Sequence, residues 1–204
     1  MKKLNLEKNK QALVVVAHPD DEVIWMGGTI LNNPEVNWTV YSMCRESDAD
    51  REPKFRRVCK YLGVRGIISD LDDGNELNEE ILHEEAKNLL DKNITEDFDY
   101  IFCHGENGEY GHSRHKIVNR AVKQFITNKN KKPEAVFYFS YKKVDDQDAR
   151  PLAVASDEAE FMVDLDKETY EKKKRIVGEM YGYPMDGIDV GYCTNPEAFS
   201  QIKN

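Results

Sequence analysis

Short apolar runs alternate along the chain with longer segments whose apolar residues recur every three or four positions. The short runs are rich in β-branched and aromatic residues, as is typical of buried strands. They predict five strands, at residues 13–16, 38–43, 67–68, 100–103 and 135–141. The last run is strongly aromatic, which favours a core strand over a sugar-stacking surface.

The longer segments have the period of amphipathic helices. They predict helices at residues 22–31, 51–62, 81–90, 117–125 and 167–181. Gly63 supplies a helix stop after the second of these, and Ile81 is placed on the apolar face of the third. The polar residues 104–111 and 144–156 predict loops, and residues 161–165 predict an additional strand.

Strands that alternate with helices are typical of a largely parallel sheet. We therefore predict an α/β fold of three layers, a Rossmann-like and mostly parallel sheet with helices on both faces. A length of 204 residues suits one domain over residues 1–204. Loops at the carboxyl ends of parallel strands form a crevice at one edge. Four segments should share that rim, namely residues 18–22, 44–50, 70–74 and 104–115.

Composition excludes several classes of function. Charged residues make up 33% of the chain and the net charge is -9, so no positive field attracts nucleic acid or an anionic membrane. The apolar run at residues 12–17 is too short for a membrane span or a signal peptide. The four cysteines form no CxxC pair, which predicts reduced, largely buried thiols. We expect a cytoplasmic protein with no membrane or nucleic-acid partner; a homo-oligomer stays open.

Charge is concentrated directly after the first predicted strand, where residues 18–22 hold one imidazole and three carboxylates. Such packing at a core edge is costly unless a cation compensates it. His18 and Asp21, with His115 after the fourth strand, could form a two-histidine, one-carboxylate set with open coordination positions. A second interpretation is that the acids only cap a helix N-terminus. The pair His112 and His115 favours the metal.

These residues resemble the LmbE-like (PIG-L) N-acetylglucosaminyl deacetylases. The resemblance rests on the hexapeptide at residues 17–22, on Gly27-Gly28-Thr29, and on the distal pair His112 and His115. It extends in order from about Ala12 through the fifth strand, and the hexapeptide is its most specific part.

The resemblance implies zinc bound by His18, Asp21 and His115, although ferrous iron or another divalent cation would suit the same set. Asp20 would be the general base that takes a proton from the attacking water. His112 would stabilise the oxyanion or protonate the leaving amine. Glu22 would orient His18 or a backbone donor.

Two further matches concern the substrate. Arg51 and Asp73 resemble a family arginine and acid that contact the sugar, and their groups suit hydroxyls. A surface helix residue and a turn former are the alternatives for these positions. Two positions depart from the family. Arg114 stands where an aspartate is common, which favours a neutral His112 if the two are close, and Lys54 stands where a glutamate often follows the arginine.

His104, Glu106 and Glu109 lie in the polar loop before His112, and we interpret them as solvated loop residues. The predicted function is zinc-dependent removal of an N-acetyl group from an N-acetylglucosamine-type conjugate, a small-molecule partner. Hydrolysis of another amide or an ester is an alternative. A non-catalytic nucleotide-binding or ligand-binding module is another, but the chain has neither GxGxxG after its first strand nor a P-loop lysine motif.

Overall fold

The structure, a computed structural model, describes residues 2–74, 78–128, 132–144 and 152–202. Within these residues the chain forms nine strands: β1 (Gln11–Val16), β2 (Asn37–Ser42), β3 (Arg65–Ile68), β4 (Tyr100–Cys103), β5 (Ala135–Phe139), β6 (Tyr141–Lys143), β7 (Ala153–Ala155), β8 (Phe161–Val163) and β9 (Glu197–Gln201). The helices of the same residues are α1 (Asp21–Asn32), α2 (Arg51–Leu62), α3 (Glu79–Asn93), α4 (Ser113–Asn128), α5 (Lys167–Arg175) and α6 (Ile188–Gly191).

Seven strands form the central sheet in the order β3-β2-β1-β4-β5-β9-β8. The ladders from β3 to β5 are parallel, and β9 runs antiparallel to both β5 and β8. Strand β1 shows why the fold has three layers, with helices on both faces of the sheet. Ala12, Val14 and Val16 pack into the core beneath α1 and α2, whereas Leu13 and Val15 pack toward α3 and α4. The predicted fold class is confirmed.

The five predicted parallel strands and the first four helices are present, and Gly63 ends α2 in the left-handed conformation expected of a helix stop. The second half of the chain departs further from the prediction. The strand predicted at residues 135–141 divides into β5 and β6 at Ser140. The helix predicted at residues 167–181 is α-helical to Arg175 and continues as a π-helical turn, Ile176–Met180.

Three other predictions need correction. Strand β9 went unpredicted, although it joins β8 to the sheet. The loop predicted at residues 144–156 contains β7, which pairs with β6, and residues 145–151 of that loop lie outside the described part of the chain. Ile81 is 56% exposed, because α3 packs through Leu82, Ala86 and Leu90 instead.

Helix α1 is kinked at Met26, whose φ of -149° and ψ of 18° are not helical. The kink interrupts the helical hydrogen bonds, so the amides of Gly28 and Thr29 need other acceptors. Both donate to the buried carboxylate of Glu197 at the start of β9, over 2.8 and 2.7 Å. The C-terminal strand therefore completes the helix that carries the first predicted site residues.

All four cysteines are buried and none is in a disulfide. Their burial agrees with the sequence, and their reduced state stays a prediction. Among the described helices, none has the length and apolar character needed to cross a bilayer. The single domain over residues 1–204 stays a prediction.

Candidate metal site and catalytic pocket

The site lies at the carboxyl ends of β1 and β4, which are neighbouring parallel strands. His18 and Asp20 follow β1 directly, and Asp21 begins α1. His104 follows β4, and His115 lies in the first turn of α4. Parallel neighbours end at the same edge of the sheet, so the topology brings together side chains that are far apart in the sequence.

The predicted ligands His18, Asp21 and His115 meet at this edge. Oδ2 of Asp21 lies 3.3 Å from Nδ1 of His18 and 3.4 Å from Nε2 of His115. Ligand nitrogens of His18, His112 and His115 also lie within 4.8 Å of one another. Imidazole nitrogens and a carboxylate are the donors that zinc and related ions prefer. The residues present therefore fit a divalent cation.

Asp21 is held in a fixed orientation. Its Oδ1 accepts a 2.9 Å hydrogen bond from the indole Nε1 of Trp25, and its Oδ2 accepts one of 2.9 Å from the backbone amide of His18. Burial raises the pKa of Asp21, but the neighbouring His115 and His104 outweigh burial and hold that pKa well below its ordinary value. Asp21 is therefore a carboxylate anion, the form that binds a cation.

His104 and Glu109 are buried, so the prediction that they belong to a solvated loop is wrong. Oε2 of Glu109 accepts hydrogen bonds from Nδ1 of His104, over 2.9 Å, and from Nδ1 of His115. Oε1 accepts from the backbone amide of Gly105 over 2.7 Å. The solvated interpretation holds for Glu106, which is exposed and pairs with Lys123.

The loop bends inward at Gly108, where φ is 66° and an added Cβ would lie 2.5 Å from the carbonyl oxygen of His112. Only glycine tolerates this close approach in a left-handed conformation. The turn places the Glu109 side chain against His104 and His115, whereas the Glu106 side chain stays exposed to solvent.

Asp20, the predicted general base, is 6% exposed and has a φ of 124°, a conformation that residues with a side chain rarely adopt. Its Oδ2 lies 3.1 Å from Nη1 of Arg51 and accepts a short hydrogen bond from the hydroxyl of Tyr183. Burial and the nearby Asp21 raise the pKa of Asp20 to about 7, against the lowering effects of Tyr183 and Arg51.

Glu22 supports Asp20 from below. Its Oε2 accepts a 3.0 Å hydrogen bond from the backbone amide of Asp20, and its Oε1 accepts from the hydroxyl of Tyr181. Glu22 thus orients a backbone donor, one of the two roles that the sequence suggested. Burial raises the pKa of Glu22 to about 8.

Arg51 and Asp73 line the same cavity as His18 and Asp21, two of the three predicted ligands. The guanidinium of Arg51 lies over the ring of Tyr183, 4.7 Å from its centroid. Oδ1 of Asp73 lies 3.0 Å from Nε2 of His18, and Oδ2 accepts a short hydrogen bond from Arg45. Asp73 therefore contacts a predicted metal ligand. Whether Arg51 and Asp73 also bind a sugar stays a prediction.

His112, the residue before α4, lines the cavity. Burial and the nearby His115 and His18 lower its pKa to about 3, so the imidazole is neutral. The guanidinium of Arg114 is turned away, toward the backbone carbonyls of Asp72 and Gly74. His112 is neutral as expected, but the cause is burial among imidazoles rather than the charge of Arg114.

The cavity has a volume of about 290 Å³. One wall is aromatic: the rings of Tyr110 and Tyr192 stack with centroids 4.7 Å apart, and Trp25 lies beside both. The charged Arg45, Arg51 and Asp73 line the same cavity. A ligand would therefore meet hydrogen-bonding groups as well as aromatic residues.

Comparison with known proteins agrees with this architecture. Residues 13–126, more than half of the chain, match the sequence model of the PIG-L family, described as GlcNAc-PI de-N-acetylase. The chain belongs to the PIG-L (LmbE-like) family. Both the segment after β1 and the first turns of α4 lie inside the matched region, so the candidate ligands belong to the part of the chain that defines the family.

A relative in Acanthamoeba polyphaga mimivirus, an uncharacterized protein, is 25% identical over 137 residues. That alignment covers 58% of this chain and 59% of the relative, so the chain spans well under two thirds of the relative's length.

Two solved structures share the PIG-L fold of this chain. The hydratase GalB from Pseudomonas putida, which acts on 4-carboxy-2-hydroxymuconate, has a TM-score of 0.65 at 14% identity, over 96% of this chain and 97% of its own. The A40926 pseudoaglycone deacetylase Dbv21 has a TM-score of 0.59 at 13% identity, over 86% and 82%. A hydratase and a deacetylase thus have the same fold, and the reaction must be argued from the site.

Sequence reasoning missed several residues that shape this PIG-L site. Glu109 and His104 carried a signal, since a histidine and an acid stand at the two ends of a glycine-rich loop before the distal histidines. Trp25 lies one helical turn after Asp21, a spacing that allows the two side chains to meet. Tyr181 and Tyr183 lie about 160 residues from their partners and carried no local signal.

Proposed function

We propose that this chain is a zinc-dependent N-deacetylase that acts on amino-sugar conjugates of the N-acetylglucosamine type. The observation that carries the proposal is the meeting of His18, Asp21 and His115 beside a cavity that His18, Asp21 and the carboxylate of Asp20 line. Membership of the PIG-L family supports the choice of an amide as the bond that is cleaved.

His18, Asp21 and His115 would hold the cation through two imidazoles and one carboxylate. When bound, a zinc ion supplies Lewis acidity, which polarises a carbonyl and makes water acidic enough to attack near neutral pH. The other coordination positions would stay open to water and substrate, as in catalytic zinc sites. Ferrous iron suits the same donors, so metal analysis has to decide between them.

Asp20 would act as the general base. Tyr183 and Arg51 both engage its Oδ2, which leaves Oδ1 to accept the proton of the attacking water. In the overall reaction the water oxygen bonds to the carbonyl carbon, the C–N bond breaks, and acetate and a free amine are released. The proton taken by Asp20 is available for that amine.

His112 would stabilise the oxyanion as a neutral hydrogen-bond donor. Its lowered pKa makes an imidazolium unavailable at neutral pH, so we favour this role over that of a general acid. Of the rings of Trp25, Tyr110 and Tyr192, that of Tyr110 is the one available to a substrate, because the other two are each 1% exposed. Arg51 and Asp73 are the residues we propose to contact sugar hydroxyls.

Metal analysis and an amine-release assay test the proposal together. Protein purified without added metal should carry about one divalent ion per chain. It should release free amine from at least one member of a panel of N-acetylglucosamine conjugates, and chelation should abolish the release until zinc is returned. Full activity after chelation would refute metal dependence.

The same panel should include acetate esters of matching sugars and 4-carboxy-2-hydroxymuconate, the unsaturated tricarboxylate named for GalB. Release of acetate only from the esters would make the chain a metal-dependent esterase. Water addition to the tricarboxylate without amine release would assign it to hydratase chemistry, which the fold of GalB accommodates. Either result would replace deacetylation as the function.

A further inference from the structure

Glu109 occupies an unusual position for a glutamate. Its side chain is fully buried at the end of a polar loop, and its backbone has a φ of 57°, in the left-handed region that long side chains rarely adopt. Strained backbone of this kind is retained where the surrounding contacts determine the conformation. Here those contacts are two histidines and the amide of Gly105.

The two histidines are stacked face to face, with ring centroids 3.8 Å apart and an interplanar angle of 16°. Nδ1 of each ring points to the same oxygen of Glu109, Oε2. Nε2 of each ring points in the opposite direction, toward Oδ2 of Asp21, over 3.5 Å for His104 and 3.4 Å for His115. One carboxylate thus contacts the outer nitrogens of both rings.

The backbone fixes which nitrogen of His104 carries the proton. The amide of Ala17 donates a 3.0 Å hydrogen bond to Nε2 of His104, so that nitrogen presents a lone pair. The proton of the neutral ring is then on Nδ1, where Glu109 accepts it. Both rings direct Nε2 toward Asp21, but only Nε2 of His104 accepts a hydrogen bond from Ala17. Among the described residues, Nε2 of His115 receives no such backbone donor.

We propose that Glu109 is the positioning residue of the metal site: it holds His104 and His115 as Nδ1–H tautomers, so that the Nε2 lone pair of His115 is directed at the cation. The inference rests on the proposed metal site and adds a division of labour within it. His115 is a ligand, and His104 is a stacked support whose own lone pair is taken by the backbone. A carboxylate behind a ligating histidine makes that ligand more basic and fixes its orientation.

Replacement of Glu109 by glutamine tests this role with little change of volume. A glutamine has one oxygen and one amide nitrogen, so it cannot accept from both histidines and from Gly105 at once. If its NH₂ group faces the rings, they must accept at Nδ1 and carry their protons on Nε2. That tautomer has no lone pair for the metal.

The matched control is Glu106→Gln, the same substitution three residues earlier in the same loop. Glu106 is exposed and contacts Lys123 rather than the histidines. Zinc affinity is measured by competition with a chromophoric chelator, a readout that needs no substrate. We expect Glu109→Gln to weaken zinc binding by about 10-fold to 100-fold and Glu106→Gln to leave it unchanged.

The tautomers can be read directly in the wild-type protein. Two-bond ¹H–¹⁵N correlation spectra of ¹⁵N-histidine-labelled protein distinguish a protonated Nδ1 from a protonated Nε2. We expect Nδ1–H for His104 with and without zinc, and Nδ1–H for His115 in the zinc-loaded protein. This measurement keeps the inference testable even if Glu109→Gln does not fold.

Failure of the inference and failure of the proposed function give different results. A wild-type protein that binds no zinc would overturn the metal site. Tight zinc binding by both the wild type and Glu109→Gln would overturn the role of Glu109 alone. A proton on Nε2 of His104 in the wild type would overturn it as well.

Discussion

Two clusters of buried charge lie along the same helix, α1, and differ in how their polar atoms are satisfied. At the kink, Glu197 accepts from Lys173 over 2.7 Å, from the amides of Gly28 and Thr29, and from the hydroxyl of Thr29. Both oxygens of this carboxylate receive donors, and Lys173 and Glu197 are fully buried. We call this the Glu197–Lys173 cluster.

At the N-terminal end of α1, Oδ2 of Asp21 faces three imidazole nitrogens at 3.3 to 3.5 Å. These separations are longer than good hydrogen bonds, and the outer nitrogens of all three rings are already engaged by Glu109 or Asp73. The difference teaches how to recognise a binding site among buried charges. Around Glu197 each short contact joins a protein donor to a carboxylate oxygen, which marks a structural cluster. Around Asp21, Nδ1 of His18 and Nε2 of His115 face a carboxylate oxygen beyond good hydrogen-bond distance, and a cation would satisfy all three atoms.

The largest effect is expected from a substitution that breaks the cluster around Asp21. His115→Ala should lower the zinc content from about one per chain to a small fraction of that and abolish amine release, because a ligand is lost. Zinc content by mass spectrometry and the release assay measure both. His83→Ala, on the outer helix α3, is the matched control and should retain metal and activity. A zinc content in His115→Ala equal to that of the control would contradict the assignment.

Asp20→Asn separates the catalytic step from metal binding at the cluster around Asp21. The variant should retain zinc but lose amine-release activity by about 10²-fold to 10⁴-fold, the usual contribution of a general base. Steady-state kinetics of the zinc-loaded protein provide the measurement. Asp50→Asn, an exposed aspartate at the start of α2, should be close to wild type. Activity in Asp20→Asn comparable with that of Asp50→Asn would remove Asp20 from the mechanism.

Glu197→Gln breaks the Glu197–Lys173 cluster and should act on stability. It leaves the buried ammonium of Lys173 without its anion, which costs about 3–5 kcal/mol of the free energy of unfolding. Urea denaturation measures the loss. Glu171→Gln, which removes the exposed partner of Lys174 on the same helix, should cost about 0–1 kcal/mol. Equal stability of the two variants would mean that the buried pair contributes no more than a surface pair.

Tyr183→Phe makes the smallest change. It removes the hydroxyl that donates to Asp20, and the phenylalanine ring can still stack on Arg51. The hydrogen bond from Tyr183 lowers the pKa of Asp20, so its removal raises that pKa. The base works only when deprotonated. The acidic limb of kcat/KM, which we expect at or below pH 7, should therefore move to higher pH. Tyr61→Phe, on the exposed face of α2, should leave the limb in place, and a downward shift in Tyr183→Phe would reverse the proposed role.

The parallel strands and the central residues of the site could both be predicted from the sequence, because both depend on the apolar strand runs. Apolar runs defined β1 and β4, and the rule that ligands gather at carboxyl strand ends placed His18, Asp21 and His115 on one rim. The structure brings the three side chains together, and their role as ligands stays a prediction.

The remaining contacts depend on tertiary structure that local patterns do not encode. A glycine-rich polar loop is normally solvated, and only the inward turn at Gly108 buries Glu109. The residues of β9 by themselves give no strong strand pattern. The position of this strand depends on long-range contacts, above all those of Glu197 with the kinked part of α1. Tyr181 and Tyr183 reach Glu22 and Asp20 only after the C-terminal helices pack on α1.

The position of β9 also constrains the order in which the molecule can be completed. During synthesis the parallel strands emerge first and can pair in sequence, but β8 obtains its ladder partner only when β9 has left the ribosome. The same late strand delivers Glu197 to the amides of Gly28 and Thr29. The helix that begins at Asp21 is therefore completed by a carboxylate 169 residues further along the chain than Gly28. A chain that ends after α4 would hold His18, Asp21 and His115 but not the carboxylate that supports α1.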